Sequence, residues 1–78
     1  MSNVADCSKI EFSAEKLRQQ RARSGLSVAA VARKIGVTTR SVYLWESGER
    51  TPNATFYLRL LFLFGLNDAR ALAVQIGG

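Results

Sequence analysis

The punctuation of this chain predicts an all-α fold, a compact bundle of about five short helices. Three observations carry that prediction. A residue able to cap a helix, Ser13, Ser27, Thr38, Asn53 or Asn67, precedes each of five candidate stretches, and Gly25, Gly36, Gly48 and Gly65 fall at or near their ends. The residue before each cap is apolar (Phe12, Leu26, Val37, Pro52, Leu66), and four positions after the cap come Leu17, Val31, Val42, Tyr57 and Ala71. That is the spacing of a hydrophobic staple, which sets how a chain enters a helix. The apolar periodicity within the stretches suits helices and is too long for strands.

Taken in order, residues 1–12 read as a flexible arm, polar and charged in both signs, with Ile10 and Phe12 alternating as in a short extended piece. The first helix is expected over Ala14 to Ser24 and the second over Val28 to Ile35. The third runs over Thr39 to Ser47, and the fourth from about Ala54 to Phe64. Residues 67–78 are expected to hold a fifth helix, from Asp68 to about Ile76, with Ala69, Leu72, Ala73 and Ile76 on one face. Leu17, Val31, Ala32, Ile35, Val42 and Trp45 make the candidate core, and the fourth helix is apolar nearly all round, wetted only by Thr55 and Arg59.

Seventy-eight residues make one domain, and a hydrophobic fraction of 47% supplies its core and argues against disorder. The single cysteine, Cys7, excludes an intrachain disulfide, so a reducing cytoplasm is the default setting. The N-terminus shows no basic segment followed by an apolar run, so no secretion signal is expected. The longest apolar run, Leu60 to Leu66, falls far short of the roughly 20 residues that span a bilayer, which argues against a membrane partner.

The net charge of +5 is unevenly placed. Residues 13–50 hold Lys16, Arg18, Arg21, Arg23, Arg33, Lys34, Arg40 and Arg50 against Glu15, Glu46 and Glu49. A polyanionic partner fits that footprint, and so does a solvated basic face. Within it, two short helices joined by a glycine turn at Gly36 have the layout of a helix-turn-helix, with Thr39, Arg40, Tyr43 and Leu44 on the outer side of the second. Arg21 falls on the core stripe of the first helix, where a lone charge is costly. Glu46, beside the core Trp45, is placed to pair with it; the alternatives are that Arg21 snorkels to solvent or contacts phosphate.

The run from Leu17 to Pro52 resembles the lambda-repressor-like (Cro/repressor type) helix-turn-helix family of DNA-binding proteins. The resemblance rests on Gly36 with the apolar positions around it, on Trp45-Glu46-Ser47-Gly48, and on Pro52 beyond, and it covers about residues 13–66. The family's frequent arginine–glutamate brace falls on Arg21 and Glu46. Two positions depart from the family's habit. Val28 stands where a glutamine is common, which removes a side-chain bond to phosphate. Ala30 stands where an acid would complete a capping box, leaving Ser27 to cap alone.

The resemblance implies base readout by Thr39, Arg40, Tyr43 and Leu44. Arg40 suits the O6 and N7 acceptors of guanine, and Leu44 suits a thymine methyl. Packing against a protein surface is the alternative for Tyr43 and Leu44. Candidate phosphate contacts are Ser27, Arg33, Lys34, Thr38, Ser41, Ser47 and Arg50; the alternative for each is an ordinary surface residue, most evenly balanced for Arg33 and Lys34. Phe56, Phe62 and Leu63 exceed what the core side of the fourth helix needs. With Leu72 and Ile76 they form a candidate homodimer interface, unless the fifth helix folds back over them.

Catalysis finds no support: the chain has no histidine, its acids are scattered, and no phosphate loop or metal-ligand spacing occurs. No cofactor or metal is expected. The expected function is a homodimeric transcription regulator, most simply a repressor on a palindromic operator in duplex DNA, cytoplasmic and bacterial or phage-encoded. The length suggests a stand-alone module. The competing class is an antitoxin-like or adaptor module whose main role is to bind a protein partner.

Overall fold

The computed structural model describes residues 9–76. Its elements, in order, are strand β1 (Lys9–Phe12), helices α1 (Ala14–Ser24), α2 (Val28–Ile35), α3 (Thr39–Ser47) and α4 (Ala54–Leu63), and strand β2 (Ala73–Ile76).

Each helix starts where a side-chain oxygen satisfies an otherwise orphaned backbone donor. Ser13, Ser27, Thr38 and Asn53 accept from the N–H groups of Lys16, Ala30, Ser41 and Phe56 at 2.9–3.2 Å. Helices α1, α2 and α3 end at left-handed glycines, and the decisive one is Gly36 (φ 84°), where the chain reverses between α2 and α3. The N–H groups of Gly36 and Val37 both reach the Ala32 carbonyl at 2.9 Å and tighten that turn.

Leu17, Val31, Val42, Leu60 and Leu72 are fully buried, with Val28, Ala32, Ile35, Trp45 and Leu61 completing the core. Phe12, Leu26 and Val37, the apolar residues ahead of three of the caps, pack against this cluster, as does Leu66. Helix α2 is the hub, lying against both α3 and α4, while α1 braces α3.

The expected fifth helix is corrected by the structure. After Gly65 the chain turns instead, with Ala71 N–H bonded to the Asp68 carbonyl and Ala73 N–H to that of Arg70. Residues 73–76 then run antiparallel to β1, pairing Phe12 with Ala73 and Lys9 with Ile76. The ladder continues into the helix entry, where Ser13 N–H donates to the Leu72 carbonyl at 2.8 Å, and Lys16 Nζ holds the Ala73 carbonyl at 2.9 Å. A helix of nine residues is marginal alone. Pairing with β1 satisfies the same backbone groups and drives Leu72 into the core. By the same token, residues 9–12 of the expected arm are a strand; residues 1–8, Cys7 among them, lie outside the described residues.

Candidate nucleic-acid interface

Helix α3 has two faces. Val42, Trp45 and Glu46 point inward and are buried. Thr39, Arg40 and Tyr43 are exposed, Tyr43 by 59%, and Leu44 is half-buried beside them. The four candidate base-reading residues thus share one outward surface, as residues three and four apart on a helix must.

The inward face is tied to α1. Arg21 forks onto Glu46, with Nε 2.5 Å from Oε2 and Nη2 3.1 Å from Oε1. Its Nη1 donates to the Leu26 carbonyl at 3.2 Å. The Glu46 side chain is 8% exposed and that of Arg21 25%. The Glu46 hydrogen bond raises the Arg21 pKa further above its already high value, against the opposing effect of burial. The guanidinium therefore stays charged at every pH the fold meets. Arg18 adds a bond from Nη1 to the Glu46 backbone carbonyl. Two arginines of α1 thus hold the C-terminal end of α3, one by its side chain and one by its main chain.

Of the candidate phosphate contacts, Arg33, Lys34 and Arg50 are exposed, and among the described residues none is paired with a carboxylate. Ser27 caps α2 and leaves the Val28 and Ala29 N–H groups at the helix's open end. The other hydroxyls are engaged locally. Thr38 Oγ1 accepts from Ser41 N and lies 3.0 Å from Ser41 Oγ. Ser47 Oγ donates to the Leu44 carbonyl at 3.0 Å and accepts from Glu49 N at 3.3 Å. These three residues have structural work whether or not phosphate is present.

The candidate dimer residues do not stay together. Leu72 is fully buried in the chain's own core, because β2 pulls it inward, so it presents nothing to a partner. Phe56 leans on Trp45, its ring centroid 6.0 Å away, and Leu63 packs against the core. Ile76 lies in β2, opposite Lys9. Phe62 stands out, 86% exposed, joined by Leu58 at 53%, which its position in an apolar run did not single out. Leu58, Leu61, Phe62, Leu66, Asn67 and Ala69 surround a shallow hollow of about 200 Å³. Leu58 also borders an open groove of about 710 Å³ that extends past Tyr57 to Phe12 and Ala73.

Sequence reasoning missed several contacts to main-chain oxygens, among them Arg18 to Glu46, Tyr57 Oη to Ala69 at 2.5 Å, and Arg59 Nη1 to Ile35 at 2.9 Å. Their acceptors are carbonyls, which carry no sequence signal. Among the described residues no group of His, Cys, Asp and Glu could hold a metal ion, and no helix is long and apolar enough to cross a membrane.

A brace helix, a glycine turn and a helix with one face buried and one presented define the class of helix-turn-helix domains. A family profile described as a helix-turn-helix domain matches residues 14–73. The chain belongs to that helix-turn-helix family. It is 39% identical over 61 residues to a Pyrobaculum aerophilum protein named for HTH-type transcriptional regulation, the match covering 78% of this chain and 24% of that protein. Among solved structures, the P22 c2 repressor, crystallised with a synthetic operator, superposes with a TM-score of 0.71 at 24% identity. That match covers 80% of this chain and 94% of the repressor chain, and it concerns the fold alone. A transcriptional regulator from Listeria innocua gives a TM-score of 0.67 at 31% identity over 73% of this chain and 54% of that one. HppE, crystallised with iron(II) and substrate, gives 0.70 at 31% identity over 78% of this chain and 35% of that one. The chain thus spans about a quarter of the P. aerophilum relative and about a third of HppE.

Proposed function

We propose that the chain is a sequence-reading duplex-DNA-binding module of a transcription regulator, acting as a repressor through a homodimer on a palindromic operator. The observation that carries this reading is the outward face of α3. It presents Thr39, Arg40 and Tyr43 on a helix whose other face is locked to α1 by Arg21, Arg18 and Glu46. A braced helix with a forked cation on its open face is what major-groove reading requires. Arg33, Lys34 and Arg50 supply cations for the flanking phosphates. The second copy would meet the first around Phe62 and Leu58, the apolar surface that the chain's own core leaves uncovered. Selection from a randomised duplex library tests the proposal. Enrichment of one inverted-repeat sequence supports it, and a pool that stays random after several rounds contradicts it.

A second reading is a module that docks on protein. The exposed Phe62–Leu58 surface favours it, as does the occurrence of the same fold as about a third of HppE. The chain would then bind no duplex under conditions in which it binds its partner.

A further inference from the structure

Arg59 sits on α4, a helix that is otherwise almost wholly apolar. Its side chain turns back toward the α2–α3 junction. Nη1 donates to the carbonyl of Ile35, the last residue of α2, at 2.9 Å. That carbonyl is one of those a helix end leaves without an internal partner. The same nitrogen lies 3.3 Å from where a Cβ on Gly36 would be, so the guanidinium overhangs the residue that reverses the chain. Its carbon is 5.5 Å from the centroid of the Phe56 ring, and that ring lies 6.0 Å from Trp45 of α3. One side chain therefore seals the end of α2, covers the turn, and backs the aromatic ring against which α3 rests.

We propose that Arg59 is a positioning residue for sequence reading: it fixes the angle at which α3 leaves the turn and so the placement of Thr39 and Arg40 on base edges. The proposal rests on the DNA-binding reading above. Base-edge hydrogen bonds demand placement within roughly 0.5 Å, whereas phosphate contacts from flexible cations on α2 tolerate more. Loosening the turn should then erode discrimination before it erodes general affinity. Lysine in place of Arg59 keeps a donor for the Ile35 carbonyl but has no flat face to lay on Phe56.

The test compares wild type, Arg59→Ala and Arg59→Lys at a temperature where all three are folded. In Arg59→Ala, amide exchange at Gly36 and Val37 should quicken about tenfold relative to α1, the factor expected for one charge-assisted hydrogen bond. Emission from Trp45, the sole tryptophan, should shift. The ratio of affinities for a selected duplex and random duplex should fall about tenfold, with the salt slope on random duplex unchanged. Arg59→Lys should restore the exchange rates but only part of that ratio. Wild-type exchange and emission in Arg59→Ala would overturn the proposal whatever the DNA result. A loosened turn with an unchanged ratio would remove the link to reading. Wild type that binds no duplex, while Arg59→Ala still loosens the turn, would show that the DNA-binding reading failed and the positioning role with it.

Discussion

Replacing Glu46 with alanine should lower stability by about 3 kcal/mol. The substitution removes both acceptors of the Arg21 fork and leaves that guanidinium with the Leu26 carbonyl alone. Stranding one member of a buried pair costs about 3–5 kcal/mol. The low end applies because Arg21 is 25% exposed and keeps one bond, so water can partly replace what is lost. A domain of this size has only ~4–12 kcal/mol to lose at typical stability per residue. At about 4–8 °C per kcal/mol, the midpoint of thermal unfolding should fall by about 12–24 °C. Far-ultraviolet circular dichroism against temperature reads this directly. Replacing both partners with apolar residues, Arg21→Met with Glu46→Leu, should recover most of the loss, because no charge is then left unpaired. A Glu46→Ala midpoint within about 3 °C of wild type would refute the brace, since that shift corresponds to less than about 1 kcal/mol.

Three further outcomes are expected. Arg40→Ala should relax preference at one base position per half-site and weaken binding there by about 1–3 kcal/mol, whereas Arg33→Ala should weaken all sequences alike; a panel of operator variants distinguishes them, and identical profiles would contradict the roles given to α3 and α2. Phe62→Asp should leave a folded monomer, because within the single chain that side chain makes no part of the core, yet lower the sedimentation mass from dimer to monomer and weaken operator binding; a wild type that sediments as a monomer with full affinity would remove the interface. Burial raises the Tyr57 hydroxyl above its ordinary value of 10.0, with Leu72 N–H opposing and Asp68 adding to the rise. The neutral phenol is thus favoured in the fold, so its contribution is present below pH 10.0 and lost as pH climbs through the raised value. Melting temperatures should fall across that window in wild type and fall less in Tyr57→Phe; parallel curves would show that Tyr57 does not drive the loss.

Four helices were legible in the sequence because their signals are local. A cap oxygen and the N–H it serves lie three residues apart, and a left-handed glycine needs only its own lack of a side chain. The Arg21–Glu46 pair was legible for another reason: a charge on a core stripe demands a partner, and few acids were available. The C-terminal segment misled because Asn67, Leu66 and Ala71 carry cap-and-staple spacing that the chain does not use. What decides there is the pairing of residues 73–76 with residues 9–12, from the opposite end of the chain. Leu72 was assigned to a partner's surface for the same reason: strand pairing, not helical periodicity, sets its direction. Arg59 read as a wetting residue because its acceptor is a carbonyl 24 positions away. On the outer face of α3, sequence and structure agree on which side chains are presented, since burial of Val42 and Trp45 leaves only one face for them.

The salt dependence of binding to duplex DNA tests the central claim most directly. Each neutralised phosphate contributes a slope of about −0.9 in log affinity against log salt. If Arg33, Lys34 and Arg50 each meet one phosphate, the slope is about −2.7 for one copy and about −5.4 for two. A titration of labelled duplex between low and physiological salt should return a value in that range, and charge removal at Arg33 should lower its magnitude by about 1 per copy. A flat response, or no binding even at low salt, would contradict the assignment of this surface to DNA.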